Sequence, residues 1–297
     1  MMKHPIAVIG AAGVEICART EKSLSSHEPN PGEITLVCGG SGFRIARDLA
    51  SLGLSPSLCT RFGRDAASML LRDAAAASGV DVSCAAEGDD APPAFLSVFS
   101  ERGDRSFLMS DVRSFAALDQ VFFEERLPMI NLADACLFSA DLEKDVCIYL
   151  ADHLRIPLFA LGVSPAKCTR LSPILARLFG ISLSLIEARR LTGRLSPADC
   201  AASLCHSGIK LVLLSLGAEG FLLASGSDRI AMPFTPRPGC EEAAEDAAAA
   251  ALLWGFAERL PLRSIAYAAA RAAAIASGSD PSPLTPHDLT DPGTRDS

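Results

Sequence analysis

Short apolar runs that end in glycine or serine recur along this chain, and most are followed by a stretch with helical spacing. Ile6 to Gly10 is the first, a buried strand running into a loop. Residues 21–33 are polar and carry Pro29, Asn30, Pro31 and Gly32, which predicts a turn. Ile34 to Cys38 is a second strand; Gly39-Gly40-Ser41-Gly42 then opens an amphipathic helix from Phe43 to Leu52. Ser57 to Phe62 reads as a strand and Ala66 to Ser78 as a helix. Ala94 to Ser100 and Ser106 to Ser110 alternate like paired strands around a turn at Arg102-Gly103-Asp104.

The second half is more regular. Ala135 to Ser139, Leu158 to Gly162, Gly180 to Leu183 and Leu211 to Ser215 are apolar strands separated by helical patterns. Leu216 to Gly220 predicts a tight turn into an antiparallel strand, Phe221 to Ala224, and two alanine-rich helices follow over 242–259 and 262–277. Alternation at this pitch implies parallel strands with crossover helices, hence an α/β, doubly wound sheet flanked by helices. Ligands bind such sheets beyond the carboxyl ends of the strands, which selects the loops at 10–15, 38–44, 161–167, 184–187 and 215–220. One domain over residues 1–279 accounts for the pattern, and the Pro-, Asp- and Ser-rich tail 280–297 is expected to be disordered.

Composition narrows the function classes. A net charge of -8 argues against non-specific nucleic-acid binding, which needs a basic footprint, but leaves room for a small anionic ligand in a local pocket. The ten cysteines form no CxxC pair and suit neither a zinc site nor a disulfide framework, so a reducing, cytoplasmic setting is expected. The apolar run at the start is short and is followed by Glu15, which marks a strand and not a leader; no segment has the length of a membrane helix.

Candidate chemistry concentrates in Pro238 to Phe256, where a Pro-Gly turn leads through four acids into an almost unbroken alanine-rich helix. A helix start offers free amides and a positive dipole end to an anion, and Asp246 nearby suits a general base. The same acids also serve simply to stabilise the helix start. The Gly39–Gly42 loop invites comparison with a dinucleotide fingerprint, but it lacks the third glycine and the acidic residue expected after it, which disfavours a hydride-transferring Rossmann enzyme.

The order of motifs resembles the pfkB/ribokinase family of carbohydrate kinases. "GAAGVEI", "PNPGEITLVCGGSGFRIARDLASLG" and "GVDV" are similar to its amino-terminal half. "SDVRSF", "VSPAK" and "EARRLTG" look most like its pseudouridine-kinase branch, and "LSLGAEGFLL" matches its nucleotide-binding turn. The resemblance implies a ribokinase-like sheet with a small β lid, here from about 14–38 and 90–113, and, as a family-level expectation, a homodimer formed through that lid. It implies ATP and Mg2+, and phosphoryl transfer to a hydroxyl of a small sugar or nucleoside, pseudouridine-like. By the same resemblance Asp246 is the base, and Ala244 and Glu245 belong to the anion-hole run. Glu15, Gly39, Gly40, Arg44 and Asp111 fall on the acceptor side, and Glu187, Ser215, Gly217 and Gly220 on the nucleotide side; no residue is assigned as a metal ligand.

Several positions depart from the family pattern. The Gly-Ala-Gly-Asp run is Ala243-Ala244-Glu245-Asp246 here, so both glycines are gone. The aspartate after the first strand is Glu15, and the asparagine after the double glycine is Arg44. Leu161 and Ser184 replace a further aspartate and asparagine. A carboxylate about 4 Å from a phosphate charge opposes it by about 4 kcal/mol at an effective dielectric of 20. Two readings follow: a kinase with altered acceptor specificity, or a catalytically impaired relative that binds a nucleoside or nucleotide and acts through a partner.

Overall fold

The structure, a computed structural model, describes residues 4–89, 91–100, 102, 105–237, 239–278 and 282–290. The chain runs β1 (Pro5–Ile9), β2 (Gly13–Thr20), β3 (Gly32–Gly39), α1 (Ser41–Ser51), β4 (Ser55–Cys59), β5 (Arg61–Phe62) and α2 (Ala66–Ala77). It continues through β6 (Ala86–Glu87), β7 (Ala94–Phe99), β8 (Arg105–Asp111), α3 (Gln120–Glu124), α4 (Leu127–Ile130), β9 (Ala135–Ser139) and α5 (Lys144–His153). Then come β10 (Leu158–Leu161), a 3-10 segment (Cys168–Arg177), β11 (Gly180–Ser184), α6 (Leu185–Thr192), α7 (Pro197–His206) and β12 (Leu211–Ser215). The last elements are β13 (Phe221–Ser225), β14 (Asp228–Met232), α8 (Glu241–Ala257), α9 (Leu262–Ala276) and α10 (Pro286–Leu289).

Eight strands form the central sheet in the order β14-β13-β12-β11-β10-β9-β1-β4. The run from β4 to β12 is parallel, and β13 and β14 add an antiparallel edge. Both faces are covered, which is why the strands read as continuous apolar runs and not as alternating ones. Along β1, Ile6 and Val8 enter one core with α1, α8 and α9, while Ala7 and Ile9 enter the other with α5 and α7. Helix α8 is buried on nearly every side, and its alanines let it lie close to α1 and α9. Gly255 is part of that fit, since a Cβ there would meet Ile265 at 2.7 Å.

The lid is a separate four-stranded sheet, β3-β2-β7-β8, with β2 and β7 parallel and the outer pairs antiparallel. Register sorts its side chains into two faces. Glu15, Phe95, Ser97, Leu108 and Ser110 share the face toward the domain, and Ile16, Leu36, Leu96 and Met109 the opposite one. On that outer face Ile34 is 75% and Leu36 56% exposed.

Four differences from the sequence reading stand out. The loop expected at 10–15 becomes strand from Gly13 onward, and β14 was not anticipated. The tail expected to be disordered from 280 contains α10, anchored by the buried Leu284 and Leu289. The segment 168–177 is 3-10 helix, with Pro173 inside it. Of the expected turn at 102–104, Gly103 and Asp104 lie outside the described residues. Among the described residues no helix is long and apolar enough to cross a membrane, and all ten cysteines are unpaired.

Candidate active site

A cavity of about 360 Å³ lies between the lid and the carboxyl ends of the central strands. Ala11 follows β1, Asp141 follows β9, Gly162 to Ser164 and Lys167 follow β10, and Ser184 and Ser215 end β11 and β12. Gly40, Ser41 and Arg44 enter from the start of α1, and Glu242, Glu245 and Asp246 from the start of α8. Phe95, Leu108 and Val112 give the roof an apolar wall. Glu15, Asp141, Glu187, Glu242, Glu245 and Asp246 face it against only Arg44 and Lys167, so the cavity is acidic.

Three charged residues form a chain across one end of it. Arg44 Nε donates to Asp246 Oδ2 at 2.7 Å, and Arg44 Nη1 is ion-paired with Glu15 Oε1. Glu15 comes from lid strand β2, Arg44 from α1 and Asp246 from α8, so the chain ties the lid to both helices. The double glycine makes room for it. A Cβ on Gly39 would collide with the Glu15 carboxylate, and the Gly40 amide donates to Glu15 Oε1 at 3.1 Å. Gly40 also holds φ at 86° with its Cα against the Ala11 carbonyl, a conformation and an approach that suit glycine. Thus the Gly39–Gly42 loop holds a carboxylate of the protein itself.

Asp246 is 5% exposed. Burial pushes its carboxyl up to about 6; Arg44 pulls the other way, and Glu242 and Asp48 add to the rise. Burial also opposes the charge on Arg44, but the Asp246 and Glu15 carboxylates more than offset this and hold its pKa above the ordinary value.

Glu245 points to the other end of the cavity. Burial pushes it up to about 7; a hydrogen bond with Ser215 opposes the rise, and Glu187, Asp246 and Glu242 reinforce it. Glu187 is raised by burial against its bonds to Ser184. Ser184 and Glu187 form a capping box on α6, with the Ser184 amide donating to Glu187 Oε2 at 2.8 Å. The serine that stands where the family pattern has asparagine is therefore a helix cap. A Cβ on Gly162 would strike the same Glu187 oxygen.

The start of α8 differs from an open anion hole. The Ala244 amide donates to the Cys240 carbonyl at 3.0 Å, and Glu245 and Asp246 lie further inside the helix, where their amides belong to its own ladder. The turn ahead of them begins at Glu241, and helix starts of this kind carry amides with no partner in the helix ladder. Replacing two glycines with good helix formers favours this extension by about 1 kcal/mol per residue.

On the opposite wall Lys167 Nζ bonds Asp141 Oδ1 at 2.6 Å. Between them the chain passes Val163, a β-branched residue at φ 71°, which is a strained conformation beside the cavity.

The structure brings together Glu15, Gly40, Arg44, Glu187, Ser215, Glu245 and Asp246. Gly39 lies directly behind Glu15, and Ala244 is buried within α8. Gly217 and Gly220 form the turn between β12 and β13 with φ of 63° and 98°, outside the cavity lining. Asp111 ends β8 away from the cavity, with its carboxylate held by Arg113. Asp141 was missed because a single acid after a strand carries no pattern; Lys167 was visible only within "VSPAK".

Comparison with known proteins agrees with this geometry. The model of the pfkB family of carbohydrate kinases matches residues 3–281. Pseudouridine kinase of Escherichia coli (strain K12) is 25% identical over 225 residues, covering 73% of this chain and 72% of that protein. A carbohydrate kinase from Agrobacterium tumefaciens superposes with a TM-score of 0.81 at 24% identity, covering 97% of this chain and 96% of the other. Arabidopsis thaliana ribokinase, solved with ribose and ATP, does so with a TM-score of 0.78 at 20% identity, covering 98% and 96%. With a ribokinase-like α/β fold and a family match over nearly its whole length, the chain belongs to the pfkB family of carbohydrate kinases.

Proposed function

We propose that this protein transfers the terminal phosphoryl group of ATP to a hydroxyl of a nucleoside or free sugar, with Asp246 as general base. The observation that carries the reading is the placement of Asp246, a buried carboxyl that titrates near 6 and lines the cavity beneath the lid at the start of α8. A base with this proton affinity is largely ionised at neutral pH and still able to take a hydroxyl proton as the new bond to phosphorus forms. A nucleoside acceptor, pseudouridine-like, is supported by the relative of that name. The roof suits it too: Phe95, Leu108 and Val112 offer an apolar wall to a planar base, and Ser97 and Ser110 offer hydroxyls to its polar edges.

The donor nucleotide fits the other end. The Gly217–Gly220 turn and Ser215 flank it, and the start of α8 presents its positive dipole end to phosphate oxygens. The acids there fit Mg2+ as well. Glu245 is a carboxyl raised chiefly by burial and further by the charges around it, Glu187 among them, so a cation there would be welcome. Among the described residues no group of three or more acids, histidines or cysteines forms a cation cage, which accords with a magnesium held by one or two carboxylates and the phosphates. Bound there, the cation would neutralise charge on the phosphates. The chain itself orients the acceptor under the lid, removes its proton through Asp246, and excludes water by closing Phe95 and Leu108 over the site.

A second copy covering the exposed apolar outer face of the lid would make a homodimer, which sedimentation at two concentrations tests. Ten free thiols accord with a cytoplasmic setting. The reaction itself is tested by ATP turnover with pseudouridine, other nucleosides and ribose. Turnover with one acceptor, reduced about a hundredfold or more in Asp246→Asn, supports it. No turnover with any of them, and no heat of ATP binding in calorimetry, overturns it.

A further inference from the structure

The Glu15–Arg44–Asp246 chain assigns different tasks to the two oxygens of Asp246. Oδ2 accepts from Arg44 Nε. Oδ1 bonds no described residue and is not among the buried atoms left without a partner, and Asp246 lines the cavity, so Oδ1 is the oxygen left to the open space. Arg44 cannot turn freely. Its guanidinium is planar, and Nη1 is fixed on Glu15, which is itself held by the Gly40 amide. Clamped from two elements, the arginine sets the plane of the carboxylate it holds.

The charges around Asp246 are otherwise of one sign. Asp48 faces it from α1 beside Arg44, and Glu242 and Glu245 from its own helix α8. Glu15 arrives from lid strand β2. Asp48 is paired with its neighbour Arg47, so Arg44 is the cation in contact with Asp246. Position 15 carries an acid one methylene longer than the family pattern, and position 44 an arginine in place of a small neutral side chain. In the structure these two departures meet in one ion pair, so they act as a single, matched change.

We propose that Arg44 is the positioning residue of the base: it occupies Oδ2, presents Oδ1 to the acceptor hydroxyl, and supplies the positive charge that keeps the carboxylate ionised. This rests on Asp246 being the base, as proposed above. An arginine that merely filled the acceptor site would have to leave before reaction. One that holds the far oxygen stays in place while the near oxygen takes the proton.

The test reads Asp246 directly, without needing turnover. In protein carrying 13C-labelled aspartate carboxyls, the Asp246 resonance is assigned by its loss in Asp246→Asn and followed against pH in wild type, Arg44→Met, Arg44→Lys and Glu15→Gln. The midpoint is expected to rise by two units or more in Arg44→Met, to rise less in Arg44→Lys, and to fall in Glu15→Gln, where Arg44 is left to Asp246 alone. A two-unit rise from about 6 cuts the ionised fraction at pH 7 roughly tenfold. A midpoint unmoved in Arg44→Met overturns the proposal; should that variant not fold, a midpoint unmoved in Glu15→Gln does the same. Where turnover is measurable, the acid limb of the kcat profile moves up with the midpoint, and Arg44→Lys partly restores it. Loss of kcat at every pH without movement of that limb also overturns the positioning role. Absence of turnover in all variants counts against the phosphoryl-transfer reading, and the carboxyl titration still decides the role of Arg44.

Discussion

The acid that stands where the family pattern has a glycine, next to Asp246, leaves a signature in stability. Glu245 has an ordinary carboxyl value of 4.5 that burial, chiefly, pushes up to about 7. Between those values the folded protein binds the proton more tightly than the unfolded chain does. The contribution is therefore fully present below about 4.5 and is lost as pH rises through about 7. The difference corresponds to about 3 kcal/mol over the whole range, most of it between pH 5 and pH 8. Glutamine has nearly the shape of the protonated acid and no titration. Glu245→Gln should match wild type at pH 5 and exceed it by about 2 to 3 kcal/mol at pH 8. The neighbours Glu187, Asp246 and Glu242 each lose a repulsive partner in the variant, which acts in the same direction. Urea unfolding followed by Trp254, the single tryptophan and one buried on α8 itself, measures both proteins at both pH values. Because other titrations are shared, the difference between the two proteins isolates this site. A difference that stays constant from pH 5 to pH 8 would falsify the reasoning.

Three further changes probe the frame around the site. Restoring glycine at both positions, Ala243→Gly with Glu245→Gly, should weaken the first turn of α8 by about 2 kcal/mol, seen as faster exchange of the Ala244 amide. The same variant should bind ATP at least tenfold more tightly in calorimetry, and an unchanged affinity would show that the acid does not face the phosphates. Val163→Gly relieves a β-branched residue at φ 71° and should stabilise the protein by about 1 kcal/mol in urea, whereas destabilisation would mean that its side chain contributes more than the strain removes. Gly42→Ala should destabilise by about 3 kcal/mol or more, because its Cβ would lie 2.5 Å from the Gly10 carbonyl carbon where β1 meets α1. A thermal midpoint within a degree or two of wild type would refute that clash.

Much of the central sheet was legible because both its faces are covered. Ile6 to Ile9, Ala135 to Ser139 and Leu211 to Ser215 are apolar at nearly every position, and no exposed face interrupts the run. Lid strand β2 was harder to read. Its sequence, GVEICART, alternates around a functional acid and continues an apolar run that already belongs to β1. Strand β14 lies at the edge with Asp228 and Ala231 exposed, so DRIAM has little apolar signal to show. In the site, Asp246, Glu187 and Ser215 were found through motif order. What motif order could not show is that departures at positions 15 and 44 answer each other, because they are 29 residues apart and meet only when β2 lies over α1. Nor could it show that losing two glycines lengthens a helix and takes the Ala244 amide into it, since the consequence lies in the backbone.

The ion-pair chain makes the lid more than a cover. Glu15 rides on β2, and its partner Arg44 holds Asp246 in turn, so a lid movement that withdraws Glu15 changes the charge environment of Asp246 at once. Binding free energies are reciprocal: if lid position alters how strongly Asp246 binds a proton, then a proton on Asp246 alters where the lid rests by the same amount. Movement of the lid and protonation of Asp246 are therefore one equilibrium, read from either end.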